Sequence, residues 1–289
     1  MAGLGMQDIK RRIKSVNSTK QITKAMELVS SSKLRKARER LQKTRPYFNT
    51  IDRTVEEIVT STRGIQHEFL KPRDVKKTCY IVITADRGLA GGYNANAIRA
   101  AVNHMDQKER VSVITIGLKA RDYFRKRNYD LEGEFLHISE DPSFSDAQNI
   151  GKLAIELYKQ ELADEVYLVY TEFVSTINHK PNLIKLLPID GIAKKEDKDS
   201  VKAMELMEYE PSPEEVLNFL VPKYIESMIY GALVESSVSE QGARRVAMES
   251  ATDNATEMIG DLELKYNRAR QASITQEIAE IVGGAEALK

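Results

Sequence analysis

The fold is decided by the stretch from Glu214 to Leu288, which reads EEVLNFLVPKYIESMIYGALVESSVSEQGARRVAMESATDNATEMIGDLELKYNRARQASITQEIAEIVGGAEAL. Glycines are few in this stretch, and its apolar residues recur at helical spacing. At 1.5 Å rise per residue, a helix of this length extends roughly 110 Å. A single globular core does not need such a helix, so the stretch predicts a rod.

A second helical pattern occupies the start of the chain, from about Met6 to Thr62. No glycine occurs between Gly5 and Gly64, and Pro46 is the only proline there. The apolar residues form a narrow stripe at coiled-coil spacing, with register shifts between its groups. The groups are Ile9, Ile13 and Val16; Ile22, Met26 and Val29; Leu34, Ala37 and Leu41; and Ile51, Val55 and Ile58.

The C-terminal stretch carries stripes of its own. They comprise Ala251, Ala255, Met258 and Leu262, and then, in shifted register, Ile274, Ile278, Ile281, Ala285 and Leu288. Small residues at Ala243, Ala247, Ala251 and Ala255 favour close approach of a partner helix. We therefore expect the two terminal helices to bury their stripes against each other as a long antiparallel coiled coil.

The middle of the chain changes period. Short β-branched runs predict strands at 79–85, 111–116, 166–173 and 183–189, and helical patterns lie at 94–105, 118–127 and 146–162. Ser145 is the predicted cap of the last of these helices. Strands alternating with helices predict a mostly parallel, Rossmann-like α/β domain inserted between the two long helices.

The predicted division is an N-terminal coiled-coil helix at 1–70, a central α/β domain at 71–210 and a C-terminal coiled-coil helix at 211–289. The charged segment 190–215, which contains Pro211 and Pro213, is predicted to be a linker.

Composition limits the possible functions of the 289-residue chain. Its 43 basic and 43 acidic residues balance, which gives no general case for nucleic-acid binding. The single cysteine, Cys79, excludes an intrachain disulfide framework and lies in an apolar run, where it is expected to be a buried hydrophobe. No apolar run is long enough to span a membrane.

The segment Asp86–Asn94 follows a strand and precedes a helix, as a phosphate-binding turn does. However, Gly88, Gly91 and Gly92 match neither dinucleotide-binding nor P-loop spacing. A tight structural turn is the favoured interpretation, with a nucleotide site as the alternative. The four histidines are too scattered for a metal-ligand pattern, so we expect no catalytic residue, metal or cofactor.

The N-terminal helix is strongly basic. Residues 1–45 hold thirteen Lys or Arg against Asp8, Glu27 and Glu39. Three interpretations are open: a solvated flank of the coiled coil, an arm on nucleic acid, or a face for an acidic protein partner. No aromatic residue is interleaved before Tyr47, which disfavours the nucleic-acid arm.

Three islands of sequence together resemble the gamma-subunit family of rotary (F-type) ATP synthases, in its bacterial form. They are the string Ile274–Ala285 (ITQEIAEIVGGA), the string Gln21–Lys36 and the turn Asp86–Asn94. The resemblance covers essentially the whole chain, and the combination of islands is highly specific.

The resemblance implies the central-stalk rotor of a proton-translocating ATP synthase, a non-catalytic subunit that couples ion-driven rotation to ATP synthesis or hydrolysis at the beta subunits. The implied partners are three alpha and three beta subunits, the epsilon subunit and the c-ring. The implied location is peripheral, on the cytoplasmic face of the cell membrane or the organellar equivalent. The implied contacts with the alpha/beta ring are Lys20, Lys24, Met26, Arg35, Arg270, Gln271, Thr275 and Glu277.

Two other functions stay open on the sequence. One is a structural coiled-coil adaptor with an α/β head, which needs no hexameric ring. The other is a nucleotide-binding enzyme that uses the Gly88–Gly92 turn.

Overall fold

The computed structural model describes residues 2–61, 67–71, 73–176, 178–189 and 212–287. Its elements are α1 (Ala2–Ser61), β1 (Thr78–Ile83), α2 (Tyr93–Met105), β2 (Val111–Ile116), α3 (Leu118–Lys126), β3 (Asp130–Phe135), α4 (Phe144–Lys159), β4 (Glu165–Phe173), β5 (His179–Leu187) and α5 (Pro213–Ala287). Contacts divide the chain into two compact units. We call residues 1–31 with 244–289 the coil unit and residues 32–243 the sheet unit.

The sheet unit is built on five strands in the order β3-β2-β1-β4-β5. Strands β1, β2, β3 and β4 are parallel to one another, whereas β5 runs antiparallel to β4. Strands β1 and β2 are short and β-branched, and all but one of their residues are buried, as in sheets covered on both faces. Five of the nine residues of β4 are buried.

Two apolar layers cover this sheet. Helices α2 and α3 pack on one face, around Tyr80, Val82 and Phe124. Helix α4 and the part of α5 up to Leu233 pack on the other face, around Ile81 and neighbouring strand residues. The result is a three-layer α/β/α arrangement, which confirms the predicted Rossmann-like class.

The structure also corrects details of the central prediction. Strand β3 was not predicted, because its sequence DLEGEF is acidic and only half-buried at the edge of the sheet. Helix α4 begins two residues earlier than predicted, at Phe144, and its cap is Ser143 rather than Ser145. Ser143 forms a capping box with Asp146, in which each side chain accepts from the other's backbone N–H.

The linker predicted at 190–215 is helical in its last three residues, since α5 begins at Pro213. The rest of that prediction, at 190–211, lies outside the described residues. The strand predicted at 183–189 is longer and begins earlier, at His179. The helices predicted at 94–105 and 118–127 are confirmed as α2 and α3 within one residue at each end.

The coil unit pairs α1 with α5 in antiparallel order. The Oγ1 atoms of Thr23 and Thr252 are 2.8 Å apart and share a hydrogen bond. Both threonines are buried, so the hydroxyls satisfy each other where water is excluded. Phe48, further along α1, lies against Gly231, which is earlier in α5, so the two helices are antiparallel and the threonine contact fixes their register.

The buried stripe of each helix follows an unbroken alternation of four and three residues. On α1 the less exposed positions are 9, 13, 16, 20, 23, 27 and 30, and on α5 they are 248, 252, 255, 259, 262, 266, 269 and 273. The predicted register shifts are therefore wrong. Where the apolar pattern ends, polar residues occupy the next positions of the same stripe.

Three apolar residues that were predicted to lie in the seam are exposed on the surface. Ile22 and Val29 of α1 are 60% and 56% exposed, while the neighbouring Thr23 and Ser30 are 8% and 2% exposed. Met258 of α5 is likewise exposed, and Ile259 takes its place in the stripe. The prediction followed the apolar residues, whereas the position of a residue in the heptad decides whether it lies in the seam.

Helix α5 also extends past the end of α1. With Thr23 opposite Thr252, Ala2 lies opposite Ser273, so α5 from Ile274 onward faces no α1 residue in the described part of the chain. Ile274, Ile278 and Ile281 are accordingly exposed rather than buried in the coil as predicted. Leu288, the last member of that predicted stripe, lies outside the described residues.

Over the described ranges, no helix is both long and apolar enough to cross a lipid bilayer.

The seam register predicts a specific crosslink. In a Cys79→Ser background, the pair Thr23→Cys/Thr252→Cys should form an intrachain disulfide on mild oxidation, because the two side chains already touch. The control pair is Ile22→Cys/Thr252→Cys, since Ile22 points to solvent. Non-reducing electrophoresis distinguishes the two. Crosslinks formed only between chains would contradict the intrachain coil and favour a homodimeric adaptor.

Candidate functional site

The strand order reverses between β1 and β4, at the centre of the sheet. In open α/β sheets, ligands bind in the crevice outside the carboxyl ends of the strands at this point. The segments that follow β1 and β3, together with the end of β4, therefore form the candidate site of this fold.

The turn after β1 is held by its own polar groups. Asp86 accepts hydrogen bonds from the backbone N–H of Leu118 (3.1 Å) and of His137 (3.0 Å), and from the hydroxyl of Ser139 (2.8 Å). The Asn94 carbonyl accepts from the N–H of Ala85 at 2.8 Å. The polar groups of the turn thus tie neighbouring loops together, as a structural turn does.

Helix α5 fills the space in front of this turn. Ala243 packs against a buried apolar cluster made by Ala85, Ala90 and Tyr93. Tyr93 is the first residue of α2, and its buried side chain joins the start of that helix to the cluster, whereas Gly91 and Gly92 before it are exposed.

The end of β4 is also bound by α5. The backbone N–H of Thr171 donates to the hydroxyl of Ser236 (3.2 Å), and its carbonyl accepts from the hydroxyl of Ser239 (3.1 Å). A serine pair at spacing three places both hydroxyls on one face of the helix. α5 therefore satisfies backbone groups of Thr171 that a bound ligand would otherwise contact.

The loop between β3 and α4, residues 136–143, contacts both long helices. Lys33 of α1 donates to the Glu140 carboxylate at 2.6 Å, and Arg40 forms an ion pair with Asp141. From α5, Ser237 donates to the Glu140 carbonyl at 3.2 Å. These contacts attach one side of the helix pair, formed by α1 and α5, to the loop through polar groups.

The other side of the helix pair is attached through aromatic packing. The guanidinium of Arg38 lies over the ring of Phe173, 4.9 Å from its centroid. Phe173 in turn contacts the His179 ring, whose centroid is 6.0 Å away. Burial lowers the pKa of His179, so the ring is neutral near pH 7 and packs as an apolar group.

We call these three attachments the carboxyl-edge collar: the turn 86–94, the loop 136–143, and the end of β4 with His179. They hold residues 32–41 of α1 and 234–243 of α5. The crevice that binds small molecules in other α/β folds here binds the chain's own helices. The geometry therefore favours the structural turn over the nucleotide site at Gly88–Gly92.

Other reactive side chains are placed for packing. Cys79 is fully buried, and burial raises the pKa of its thiol to about 12, so no thiolate nucleophile is present near pH 7. His104 shares a hydrogen bond of 2.7 Å with the hydroxyl of Tyr80. Within the described ranges, no three His, Cys, Asp or Glu side chains gather as metal ligands.

The residues predicted to contact partners lie mostly on the surface of the coil unit. Exposed positions are Lys24, Arg270, Gln271, Thr275 and Glu277, and Met26 is half-buried. Lys20 is also half-buried, because it occupies a seam position. Arg35 belongs to the sheet unit and is exposed there. The structure does not gather these residues into one cluster.

Comparison with known proteins agrees with this geometry. The family model described as ATP synthase matches residues 5–288. The ATP synthase gamma chain of Alkaliphilus metalliredigens is 72% identical over 99% of this chain and 100% of its own length. The chain belongs to the ATP synthase gamma-chain family. Another gamma chain, described as sodium ion specific, comes from Acetobacterium woodii and is 51% identical over 98% of both chains.

The fold of the gamma-chain family is also found among solved structures. A chain in the Euglena gracilis mitochondrial ATP synthase, in a structure of OSCP/F1/c-ring in rotational state 3, superposes with a TM-score of 0.70. The match covers 99% of this chain and 95% of that chain at 19% identity. At this identity the likeness concerns the fold alone.

The carboxyl-edge collar was not predicted from the sequence of this gamma chain. Lys33 and Arg40 were counted only as part of the basic N-terminal helix, and Glu140 and Asp141 were not singled out. The available signal was charge: Glu140 and Asp141 are adjacent acidic residues just before α4, whereas the N-terminal helix is strongly basic. Distances between such segments are not encoded in local spacing.

The close contact between Gly242 and His179 predicts that a larger residue at position 242 lowers stability. A Cβ at this position would lie 2.8 Å from Cε1 of His179. Gly242→Ala should therefore destabilise the chain by about 1–3 kcal/mol through overpacking, despite the better helix propensity of alanine. Thermal unfolding followed by circular dichroism measures this.

Gly260→Ala is the matched control, because nothing lies within 4 Å of a Cβ there, and it should stabilise the helix by about 0.5–1 kcal/mol. His179→Ala should make Gly242→Ala less costly. Equal melting temperatures for the two glycine variants would contradict the packing of His179 on α5.

Proposed function

We propose that this chain is the central-stalk rotor of an ATP synthase. In this role the two long helices form an axle within a ring of three alpha and three beta subunits, and the sheet unit meets the epsilon subunit and the c-ring. The observation that carries the proposal is membership of the gamma-chain family over residues 5–288, combined with a crevice filled by the chain's own helices.

The surface chemistry of the coil unit fits a rotor. A shaft that meets several partners in turn needs contacts that break and re-form, and exposed charge pairs, worth about 0–1 kcal/mol each, do this. Lys24 is exposed and pairs with Glu27 of its own helix at 3.1 Å. The overhang of α5 presents exposed Ile274, Ile278 and Ile281, which suit an apolar bearing in the ring.

The predicted contact set is retained as part of the proposal, with one change. Lys24, Met26 and Arg35 face the moving beta subunits, and Arg270, Gln271, Thr275 and Glu277 face the loops that surround the axle. Lys20 is half-buried in the seam of the coil, so its side chain is less accessible to a partner than that of Lys24.

In this proposal the chain performs no bond chemistry and carries coupling free energy between the ion-driven motor and the beta-subunit sites. The coupling ion is proposed to be the proton. A gamma chain described as sodium ion specific is 51% identical, and the axle contacts transmit torque whichever ion drives the motor. Its proposed location is peripheral, on the cytoplasmic face of the cell membrane.

The division into 1–70, 71–210 and 211–289 stays a prediction. It follows the order of the chain, whereas the compact units group residues by contact, with both helices contributing to each unit. The division places the two helices and the α/β domain in the roles of axle and body.

Assembly with alpha and beta subunits tests the proposal. The parent chain should form a complex with ATPase activity, and Lys24→Gln/Arg35→Gln should assemble and melt like the parent because both side chains are exposed. Its ATPase rate should change by about two- to tenfold, since each lost contact is worth up to about 1 kcal/mol. The dependence of the rate on salt should flatten.

The matched control is Lys10→Gln/Lys43→Gln, which removes the same charge from exposed positions of α1 outside the proposed contact set. Equal rates and salt profiles for parent, variant and control would leave the basic residues as a solvated flank. Failure of the parent chain to assemble with alpha and beta would contradict the rotor and favour the adaptor.

A further inference from the structure

The collar holds α1 from two sides by different kinds of contact. With 100° per residue, Arg38 lies roughly 150° around the helix from the mean direction of Lys33 and Arg40. On the Arg38 side the contacts are the ring of Phe173 and a half-buried histidine, and Phe173 also packs on a buried apolar cluster between the two helices. On the other side they are ion pairs to Glu140 and Asp141.

A cavity of about 410 Å³ lies on the ionic side, between the loop 136–143 and the two helices. Its floor includes Ala37 of α1 and Val234 of α5, and Lys33 and Arg40 reach past it to the loop. The loop is thus not packed continuously on the helices here. Partly exposed ion pairs and single hydrogen bonds bridge the gap.

The loop is otherwise anchored to the sheet. Ser139 bonds to Asp86 in both directions, as donor to the carboxylate (2.8 Å) and acceptor from the backbone N–H (3.3 Å). Ser143 and Asp146 fix its other end to α4. A force on the helix pair therefore reaches the sheet on this side through the contacts of Glu140, Asp141 and Pro142.

We propose that the ion pairs Lys33–Glu140 and Arg40–Asp141 form a latch that sets the torsional stiffness between the helix pair and the sheet domain. This inference rests on the proposed rotor function. The packed side acts as the fixed attachment, and the latch on the gapped side opens and closes under torque. Lys33 and Arg40 are positioning residues, and the latch weakens with salt because its side chains are partly exposed.

The test uses the assembled alpha–beta–gamma complex, fixed through its beta subunits, with a bead on Leu162→Cys in a Cys79→Ser background. Leu162 is exposed and follows α4 in the sheet unit. The angular fluctuation of the bead during ATP-waiting dwells reports stiffness. Hydrogen exchange of residues 136–143 in the same complex reports release of the loop.

In Lys33→Gln/Arg40→Gln, loop amides should exchange about five- to thirtyfold faster, the effect of losing one or two weak pairs. The angular variance should rise and lose its dependence on salt, whereas the parent's variance should increase with salt. The control Lys10→Gln/Lys43→Gln removes equal charge from exposed positions of the same helix that do not line the cavity, and it should match the parent. The charge swap Lys33→Glu/Glu140→Lys should recover much of the stiffness.

Three results would overturn the latch. They are a released loop with unchanged angular variance, a loop that stays protected in Lys33→Gln/Arg40→Gln, and a control that softens as much as the variant. A parent complex that assembles but shows no stepping of the bead contradicts the rotor function itself. The behaviour of the parent thus separates failure of the proposed function from failure of the latch.

Discussion

The packing of α1 and α5 against the carboxyl edge of the sheet is the contact on which the sheet unit depends. Backbone groups at the end of β4 are satisfied by Ser236 and Ser239 of α5, and the turn after β1 is covered by Ala243. Without α5 these groups would face solvent or a ligand. The sheet and residues 234–243 of α5 therefore belong to the same compact unit, and α5 occupies part of the crevice where α/β enzymes bind ligands.

The coil unit is built on a weaker, more polar seam. Thr23, Ser30 and Thr252 occupy central positions where a stable coiled coil would place leucine or isoleucine, and a shared hydroxyl hydrogen bond replaces apolar burial. Polar seam positions specify register at a cost in stability. Apolar residues such as Ile22 and Val29 are displaced to the surface, where they are available to partners.

The long helices, the alternation of strands and helices, and the buried Cys79 were predictable, because each follows from period and residue type over many positions. The unbroken seam was not predictable, since Thr23 and Ser30 are polar and polar residues are not expected in a core. Strand β3 was missed because edge strands carry charge. The collar was missed because its partners, such as Lys33 and Glu140, are far apart in sequence and only the tertiary fold brings them together.

Hydrogen exchange of the isolated full-length chain tests most directly the claim that the sheet edge grips its own helices. We expect backbone amides of residues 234–243 to exchange as slowly as those of β1, because they are buried in the same cooperative unit. Residues 274–285 should exchange fastest within α5, because no α1 residue in the described part of the chain lies opposite them. Exchange of 234–243 as fast as that of 274–285 would contradict the account.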